Sequence, residues 1–329
     1  MLQRIEPKAY IYSGPLADVC KCYVLEKRAD GSKFNKEAQK LSEFSRFSIP
    51  YVTSEHELPK ELVDAWLVKR ANEADKNIYY RMTVVKGLAE YMNRMGMKAY
   101  IPDKSDIPKM HWHTYVPYIF THEEIIQFFS ALDAMKPSKY SNSHRRNIVM
   151  PVVFRLLYCC GLRVNEALSL TFDDVNLNDG ILTIREAKFD KYRYVPMSDE
   201  MTEVMREYIT SIKYDLYFFP SRDGGKYHDK TVYEMFRQVL WAAGISHGGR
   251  GKGPRVHDFR HTFSVHCLQK WISNGIPISS ALPRLSTYLG HNDIAATERY
   301  LRMTAELYPE ISEMLSKKLG HVIPKGEDL

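Results

Sequence analysis

The sequence predicts a mainly α protein with a small antiparallel β-sheet in its second half (α+β), preceded by a separate helical domain. Apolar residues recur at three- and four-residue spacing in the first hundred residues, most clearly from Asn77 to Met95, where Gly96 ends the pattern. Two short segments, Ile181–Ile184 and Tyr192–Val195, are rich in β-branched and aromatic residues and close enough to form a hairpin. Helical spacing then continues towards the C-terminus.

A change of pattern divides the chain into two domains. Between Ile101 and Pro117, three prolines and several charges interrupt any helical periodicity, which indicates a linker at 106–116. We therefore expect an N-terminal helical domain at 1–105, which includes a short helix from Lys60 to Ala71, and a second domain at 117–329.

The second domain is predicted to begin with helices. Thr121 is a suitable N-cap with acidic residues behind it, for a helix that runs to Leu132. The apolar run from Asn147 to Cys160 ends at Gly161 and is typical of a buried helix. Further helices are expected at Lys230–Ala243 and His257–Ser273.

Composition places the chain among folded soluble proteins. Hydrophobic residues make up 44% of its 329 residues, and a formal net charge of +6 is compatible with a polyanionic partner without demanding one. The first residues lack the apolar run of a signal peptide, and no segment has the length of a membrane span. Five cysteines without a Cys-x-x-Cys pair are expected to be reduced thiols in a cytoplasmic protein.

Four separated segments contain polar residues that suit catalysis. An arginine follows Gly-Leu at the end of the buried helix, and a lysine lies on the hairpin. A His-x-x-Arg sequence opens a later helix, and Leu-Gly-His is followed after nine residues by a tyrosine. In order, these residues are Arg163, Lys188, His257, Arg260, His291 and Tyr300.

This order of motifs resembles the tyrosine recombinase (phage integrase) family, over about Pro117 to Leu307. Each motif alone is common, whereas five in order on suitable elements are specific. The resemblance implies that the second domain is catalytic, that the N-terminal helical domain binds DNA, and that the six residues named above form the catalytic set. It implies no cofactor, no metal ion and no ATP.

The chemistry of strand cleavage agrees with these residue types. Arg163 and Arg260 carry permanent charge and can each bind two phosphate oxygens, and His291 would be a third donor. Tyr300 would attack the phosphorus, and the resemblance implies that His257 exchanges its proton. The resemblance also assigns protonation of the leaving 5′-oxygen to Lys188, although Lys191 lies three residues away on the same hairpin.

The resemblance further implies a site-specific recombinase that acts through a 3′-phosphotyrosyl intermediate, for integration or excision of a mobile element. Its partners would be double-stranded DNA with specific sites and an accessory DNA-bending or excision factor, with no membrane. Exchange of four strands needs four copies, which predicts a homotetramer on DNA. We expect a cytoplasmic protein that associates with the nucleoid when it is bound to DNA. Residues at helical spacing after the tyrosine suggest a tail that packs on a neighbouring copy or on its own domain: Leu307, Ile311, Met314, Leu315 and Leu319.

Several alternatives stay open on the residues alone. Arg163 could cap a helix and pair with Glu166, and His257, His261 and His266 could suggest a helical metal site, although the Glu of a His-Glu-x-x-His motif is missing. A type IB topoisomerase, a non-catalytic DNA-binding protein of the same fold and a metal-dependent nuclease are the rival functions. Thirty residues separate Arg260 from His291, which predicts an extended loop or an added helical turn there.

Overall fold

The computed structural model describes residues 8–107, 116–136, 144–185, 192–212, 216–249, 252–291, 295–308 and 311. The chain divides into two compact units, Met1–Tyr115 and Val116–Leu329. The described residues are mostly helical with a small antiparallel sheet, so the predicted fold class is confirmed. Within these ranges no helix combines the length and apolarity needed to cross a membrane.

The first unit packs its helices around an aromatic core. Trp66 contacts Phe44, with ring centroids 5.2 Å apart, and both side chains are buried. Two short strands, β1 (Glu57–Leu58) and β2 (Lys98–Ala99), pair in parallel. The helices of this unit are α1 (Ala17–Ala29), α2 (Asn35–Phe47), α3 (Lys60–Leu67) and α4 (Asp75–Arg94).

Helix α3 is shorter than the predicted Lys60–Ala71 segment because a buried arginine ends it. The Arg81 guanidinium donates to the carbonyl oxygens of Trp66 and Val68, and it forms a 2.6 Å ion pair with Glu73. Val68 adopts extended backbone angles, so the chain leaves the helix at that residue. A buried guanidinium needs such partners, and here it takes them from the end of the helix.

The second unit combines helices with a three-stranded antiparallel sheet, one face of which is packed on the core. The sheet order is β3 (Val175–Asn176), β4 (Ile181–Arg185) and β5 (Tyr192–Pro196), which confirms the predicted hairpin. The helices are α5 (His122–Asp133), α6 (His144–Cys159), α7 (Val164–Leu168), α8 (Asp199–Thr210), α9 (Asp229–Ala242), α10 (Asp258–Ser273), α11 (Ile278–Leu289) and α12 (Ala295–Leu307).

Helix α10 lies at the centre of the second unit. Its first turn carries Phe259, which is fully buried and packs against the rings of Phe120 and Phe128 at 5.1 and 4.9 Å. Further along, Val265 and Leu268 pack in a second cluster with residues of α11 and α12. Because α10 is packed along several faces, the polar residues of its first turns are held in fixed positions.

The long interval between Arg260 and His291 is mostly helical. Helix α10 ends at Ser273, and α11 begins at Ile278, directly after Pro277 at its N-cap. The apolar face of α11, which includes Leu285 and Leu289, is buried against α10 and α12. An added helix therefore fills the interval, rather than an extended loop.

Candidate active site

The candidate active site lies entirely in the second unit, at the first turn of α10. Arg260 is only 2% exposed, and its guanidinium is fixed by two backbone carbonyl groups. Nη1 donates to the carbonyl oxygen of Gly161 at 2.8 Å, and Nη2 donates to that of Leu289 at 2.6 Å. Arg260 therefore joins the ends of α6 and α11 to α10.

Glycines end both of the helices that supply these carbonyl groups. Gly161 and Gly290 have φ angles of 59° and 66°, in the left-handed region that favours glycine. At the end of α11, the Gly290 and His291 amides donate to the carbonyl oxygens of Thr287 and Ser286. The Leu-Gly-His motif thus places its leucine carbonyl on Arg260 and turns His291 into the site.

Glu166 on α7 connects three arginines. Arg163 precedes this helix as its N-cap residue, and its Nη1 donates to Glu166 Oε1 at 2.7 Å. Arg193 on β5 binds both carboxylate oxygens, at 3.0 and 2.7 Å. Arg260 Nη1 lies 3.8 Å from Glu166 Oε2. One carboxylate therefore orients guanidinium groups from three separate elements.

The register of the sheet explains why Arg193 reaches this carboxylate. Arg193 pairs with Ile184 and lies two residues from Val195, so the three side chains share the face that is packed on the core. Arg193 is consequently 10% exposed, and its Nε also donates to the carbonyl oxygen of Tyr288 at 3.1 Å. An arginine on an inward face requires such fixed partners.

The charged groups of the site shift each other's pKa values. Burial lowers the pKa of Arg260 to about 10, and the charge of Arg163 acts in the same direction. Burial raises the pKa of Glu166, but the hydrogen bonds and charge of Arg193, with help from Arg163 and Arg260, overcome that effect and leave the pKa below its usual value. Glu166 is therefore a carboxylate at neutral pH.

Two predicted histidines lie beside the arginines and are neutral at physiological pH. Burial of its ring nitrogens among the site residues and the charges of Arg260 and Arg163 lower the pKa of His257 to about 4, although the residue as a whole is exposed to solvent. The same causes, in the same order, lower the pKa of His291 to about 4. His291 Nδ1 is 2.8 Å from the hydroxyl oxygen of Thr297 on α12, which fixes its ring by a hydrogen bond.

Tyr300 on α12 lies between histidine rings and is 2% exposed. Its hydroxyl group hydrogen-bonds to Nδ1 of His261, with the two atoms 3.0 Å apart. The ring of His291 stacks on it with a centroid distance of 6.0 Å and an interplanar angle of 23°. His257 packs edge-on against His261, at 4.8 Å between ring centroids.

The structure brings five of the six predicted residues into one site: Arg163, His257, Arg260, His291 and Tyr300. The sixth, Lys188, lies outside the described residues, as does its alternative Lys191. The sequence predicts Glu166 as a supporting partner and His261 as either a core residue or a supporting residue of the site, and it predicts no role for Arg193. The sequence did indicate a buried position for Arg193, because this arginine lies two residues from an apolar residue of the same strand and therefore faces inwards.

The alternative interpretation of Arg163 also describes part of the structure. Its backbone amide donates to Glu166 Oε2 at 2.8 Å, so the residue does cap α7 and pair with Glu166. Its side chain nevertheless stays 41% exposed, which leaves the guanidinium reachable from solvent. Among the described residues, no group of three or more His, Cys, Asp or Glu side chains is arranged to hold a metal ion.

Known proteins are similar to this chain in sequence and in fold. The profile of the phage integrase family matches residues 119–306. The protein "Putative integrase/recombinase y4rB" of Sinorhizobium fredii is 30% identical over 307 residues, which cover 90% of this chain and 95% of that protein. A tyrosine recombinase of Pseudothermotoga lettingae is 29% identical over 59% of this chain and 62% of its own length.

A solved structure has the same fold. The XerH site-specific recombinase, crystallised on a palindromic difH substrate as a post-cleavage complex, superposes with a TM-score of 0.63 at 21% identity. The match covers 92% of this chain and 83% of that one.

Proposed function

Because the chain belongs to the phage integrase family, we propose that it is a site-specific DNA recombinase whose Tyr300 forms a covalent bond with a 3′-phosphate of DNA. One observation carries this proposal. Residues from widely separated segments, each predicted from the sequence, meet in a single positively charged site next to a tyrosine. These are Arg163, His257, Arg260, His291 and Tyr300.

The concentration of guanidinium groups suits a phosphodiester. Arg163, Arg193 and Arg260 come from separate segments and meet at the carboxylate of Glu166, which places three positive charges in one small region. Arg299 adds to this field, since it is one of the charges that lower the pKa of His291. In the transition state of strand cleavage, negative charge spreads over the non-bridging oxygens, and preorganised donors at that position are often the largest catalytic term.

The two catalytic arginines have different roles in this proposal. Arg260 is buried and fixed by carbonyl groups, so it supplies a rigid donor whose position does not change when DNA binds. Arg163 is partly exposed and held by Glu166, so it can turn one face of its guanidinium to a phosphate oxygen while keeping the carboxylate contact.

Cleavage then proceeds by a balanced exchange at phosphorus. The Tyr300 oxygen bonds to phosphorus and gives its proton to a histidine, which the family resemblance identifies as His257. The bond from phosphorus to the 5′-oxygen breaks, and that oxygen receives a proton from Lys188, again by resemblance. His291, with Nδ1 accepting from Thr297, would donate from Nε2 to a non-bridging oxygen. Attack by the 5′-hydroxyl of another strand reverses these steps and releases Tyr300.

The partners follow from the reaction. Four strands must be cut, so we propose that four copies assemble on two duplexes, with the N-terminal unit binding DNA alongside the catalytic unit. A role in integration or excision of a mobile element, with an accessory bending or excision factor, remains part of the proposal. It is supported by the similarity to integrases, and the Tn1549 transposon integrase was solved in complex with circular intermediate DNA.

The test of this proposal is covalent capture on a nicked duplex. The protein is incubated in EDTA with candidate recombination-site DNA in which a nick lets the cut fragment diffuse away, and adducts are read on a denaturing gel. We expect an adduct with the unaltered protein and none with Tyr300→Phe. Tyr288→Phe is the matched control, because this tyrosine is outside the predicted catalytic set and its hydroxyl group contacts the Pro196 carbonyl oxygen and Cys160.

Three outcomes would overturn the proposal in different ways. Cleavage that stops in EDTA would indicate a metal-dependent nuclease. Tight, salt-sensitive binding without any adduct would indicate a non-catalytic DNA-binding protein of this fold. Relaxation of supercoiled plasmid without preference for a site would indicate a topoisomerase.

A further inference from the structure

On the basis of the proposed recombinase function, we propose that His261 is a positioning residue for the nucleophile. In this proposal the Tyr300 hydroxyl group donates its hydrogen bond to Nδ1 of His261 in the free protein, and this contact fixes the phenol oxygen before DNA binds. During cleavage the hydroxyl group turns its single proton to His257, so His261 positions the oxygen and does not take the proton. The sequence resemblance gives the proton-exchange role to His257 and assigns nothing to His261. The structure places His261, and not His257, at hydrogen-bond distance from the hydroxyl group.

The packing of two helices makes this contact rigid. His261 lies on α10 and Tyr300 on α12, and these helices pack directly against each other. Their side chains are 5% and 2% exposed, so neither is free to turn towards solvent. The Thr304 hydroxyl group also donates to the Tyr300 carbonyl oxygen at 2.7 Å, within α12.

The protonation state of His261 makes it an acceptor for a hydroxyl proton. Burial lowers the pKa of His261 to about 3, and the charges of His257 and His291 in their protonated forms, together with those of Arg299 and Arg260, act in the same direction. The ring is therefore neutral at physiological pH, and one of its nitrogens carries a free lone pair. If that nitrogen is Nδ1, Tyr300 donates to it and both phenol lone pairs stay available for phosphorus.

A fixed hydroxyl group matters for the rate rather than for DNA affinity. A phenol oxygen has to lie in line with the leaving oxygen, and a misplacement of about 1 Å is enough to cost about 100-fold in rate. His261 does not touch DNA in this scheme. Its loss should therefore slow cleavage at saturating protein while the DNA concentration dependence stays the same.

The same helix offers a matched control. His266 also lies on α10, is 9% exposed, and has its pKa lowered to about 4, first by burial and then by His122. Its Nδ1 is 3.1 Å from the hydroxyl oxygen of another tyrosine, Tyr158. This second histidine–tyrosine pair has similar burial and chemistry, but Tyr158 is not the proposed nucleophile.

The experiment compares adduct formation by four variants in a single-turnover assay on the nicked duplex. His261→Phe, which keeps a ring but removes the acceptor, should form the Tyr300 adduct about 100-fold more slowly at saturation. His261→Asn places an amide oxygen near the position of Nδ1 and should retain the rate to within about tenfold, whereas His261→Gln extends its amide towards Nε2 and should be as slow as Phe. His266→Phe should match the unaltered protein.

The results separate this inference from the recombinase proposal. If the unaltered protein forms no Tyr300 adduct, the recombinase function and the role of His261 with it are wrong. If it does, equal rates for His261→Asn and His261→Gln overturn the positioning role even where His261→Phe fails to fold. A parallel loss of DNA affinity and rate in His261→Gln would indicate a merely structural residue.

A measurement without DNA reads the hydrogen bond directly. With tyrosine labelled at ¹³Cζ, the Tyr300 signal is assigned by its absence in Tyr300→Phe. We expect this signal to shift in His261→Gln and to stay in place in His266→Phe. An unchanged Tyr300 signal in His261→Gln would contradict the contact itself.

Discussion

Removing the charge of Glu166 should destabilise the second unit strongly. Glu166→Gln keeps the size of the side chain but leaves Arg193, which is 10% exposed, without its carboxylate partner. Taking one partner from a buried ion pair typically costs 3–5 kcal/mol, and we expect about 3 kcal/mol because the amide oxygen still accepts one hydrogen bond. For a unit of this size, that corresponds to a fall in Tm of about 6–12 °C.

The sign of this effect follows from the pKa of Glu166. Its pKa in the folded protein lies below the usual value, so the folded state favours the carboxylate over the neutral acid. The contribution to stability is therefore complete above the ordinary pKa of a glutamate, about 4.3, and is lost as the pH falls through the lower, folded value. Measurements at pH 7.5 thus compare Gln with a fully formed carboxylate.

Urea unfolding followed by hydrogen exchange and mass spectrometry is the suitable assay. Peptides from residues 116–311 report the second unit separately from the first. The matched control is Glu203→Gln, whose partner Arg206 lies 3.0 Å away on α8 with both side chains well exposed. An exposed pair of this kind contributes less than about 1 kcal/mol. If Glu166→Gln were no more destabilising than Glu203→Gln, the three arginines would not depend on this carboxylate.

Two further predictions concern stability. The pKa values of His261 and His266 are lowered to about 3 and about 4, so the unfolded chain, with histidines near 6.5, binds more protons below that pH. The contribution of these neutral histidines to stability is therefore fully present at pH 8. The free energy of unfolding should fall by about 2 kcal/mol per histidine by pH 5. Urea titrations at both pH values should show that His266→Phe loses about 2 kcal/mol less than the unaltered protein, and equal losses would contradict these shifts. Gly161→Ala should be more destabilising than Gly244→Ala, because both residues have positive φ but only at Gly161 does an added Cβ lie 2.4 Å from Phe263 Cδ1. Equal unfolding midpoints for the two alanine variants would rule out the close contact.

Much of the fold could be predicted because local signals and tertiary packing agree. Thr121 caps α5 as expected, with Glu124 completing a reciprocal capping box. Gly161 and Gly290 mark helix ends from sequence, since only glycine adopts the left-handed conformation readily. The end of α3 was placed too late, because the residue that ends it, Arg81, comes from another helix and leaves no local signal.

In the candidate site, too, features with a local sequence signal could be predicted and features set by tertiary packing could not. Motif order predicted five residues that meet in the candidate site, because each motif places a particular side chain at or near a helix end. The contact between His261 and Tyr300 could not be predicted, since it joins residues 39 positions apart and depends on how α10 packs on α12. Sequence spacing does not distinguish the role of His261 from that of His266. Only the packing of the second unit shows that the first contacts Tyr300 and the second contacts Tyr158.

The most direct test of the central claim is to identify the bond between protein and DNA. The covalent adduct from the nicked duplex is digested with trypsin and nuclease, and mass spectrometry locates the nucleotide-bearing peptide. We predict that the nucleotide is attached to Tyr300, in the peptide that follows Arg299, through a 3′-phosphate, with a free 5′-hydroxyl on the released strand. A nucleotide on any other residue, or a link through a 5′-phosphate, would contradict the account.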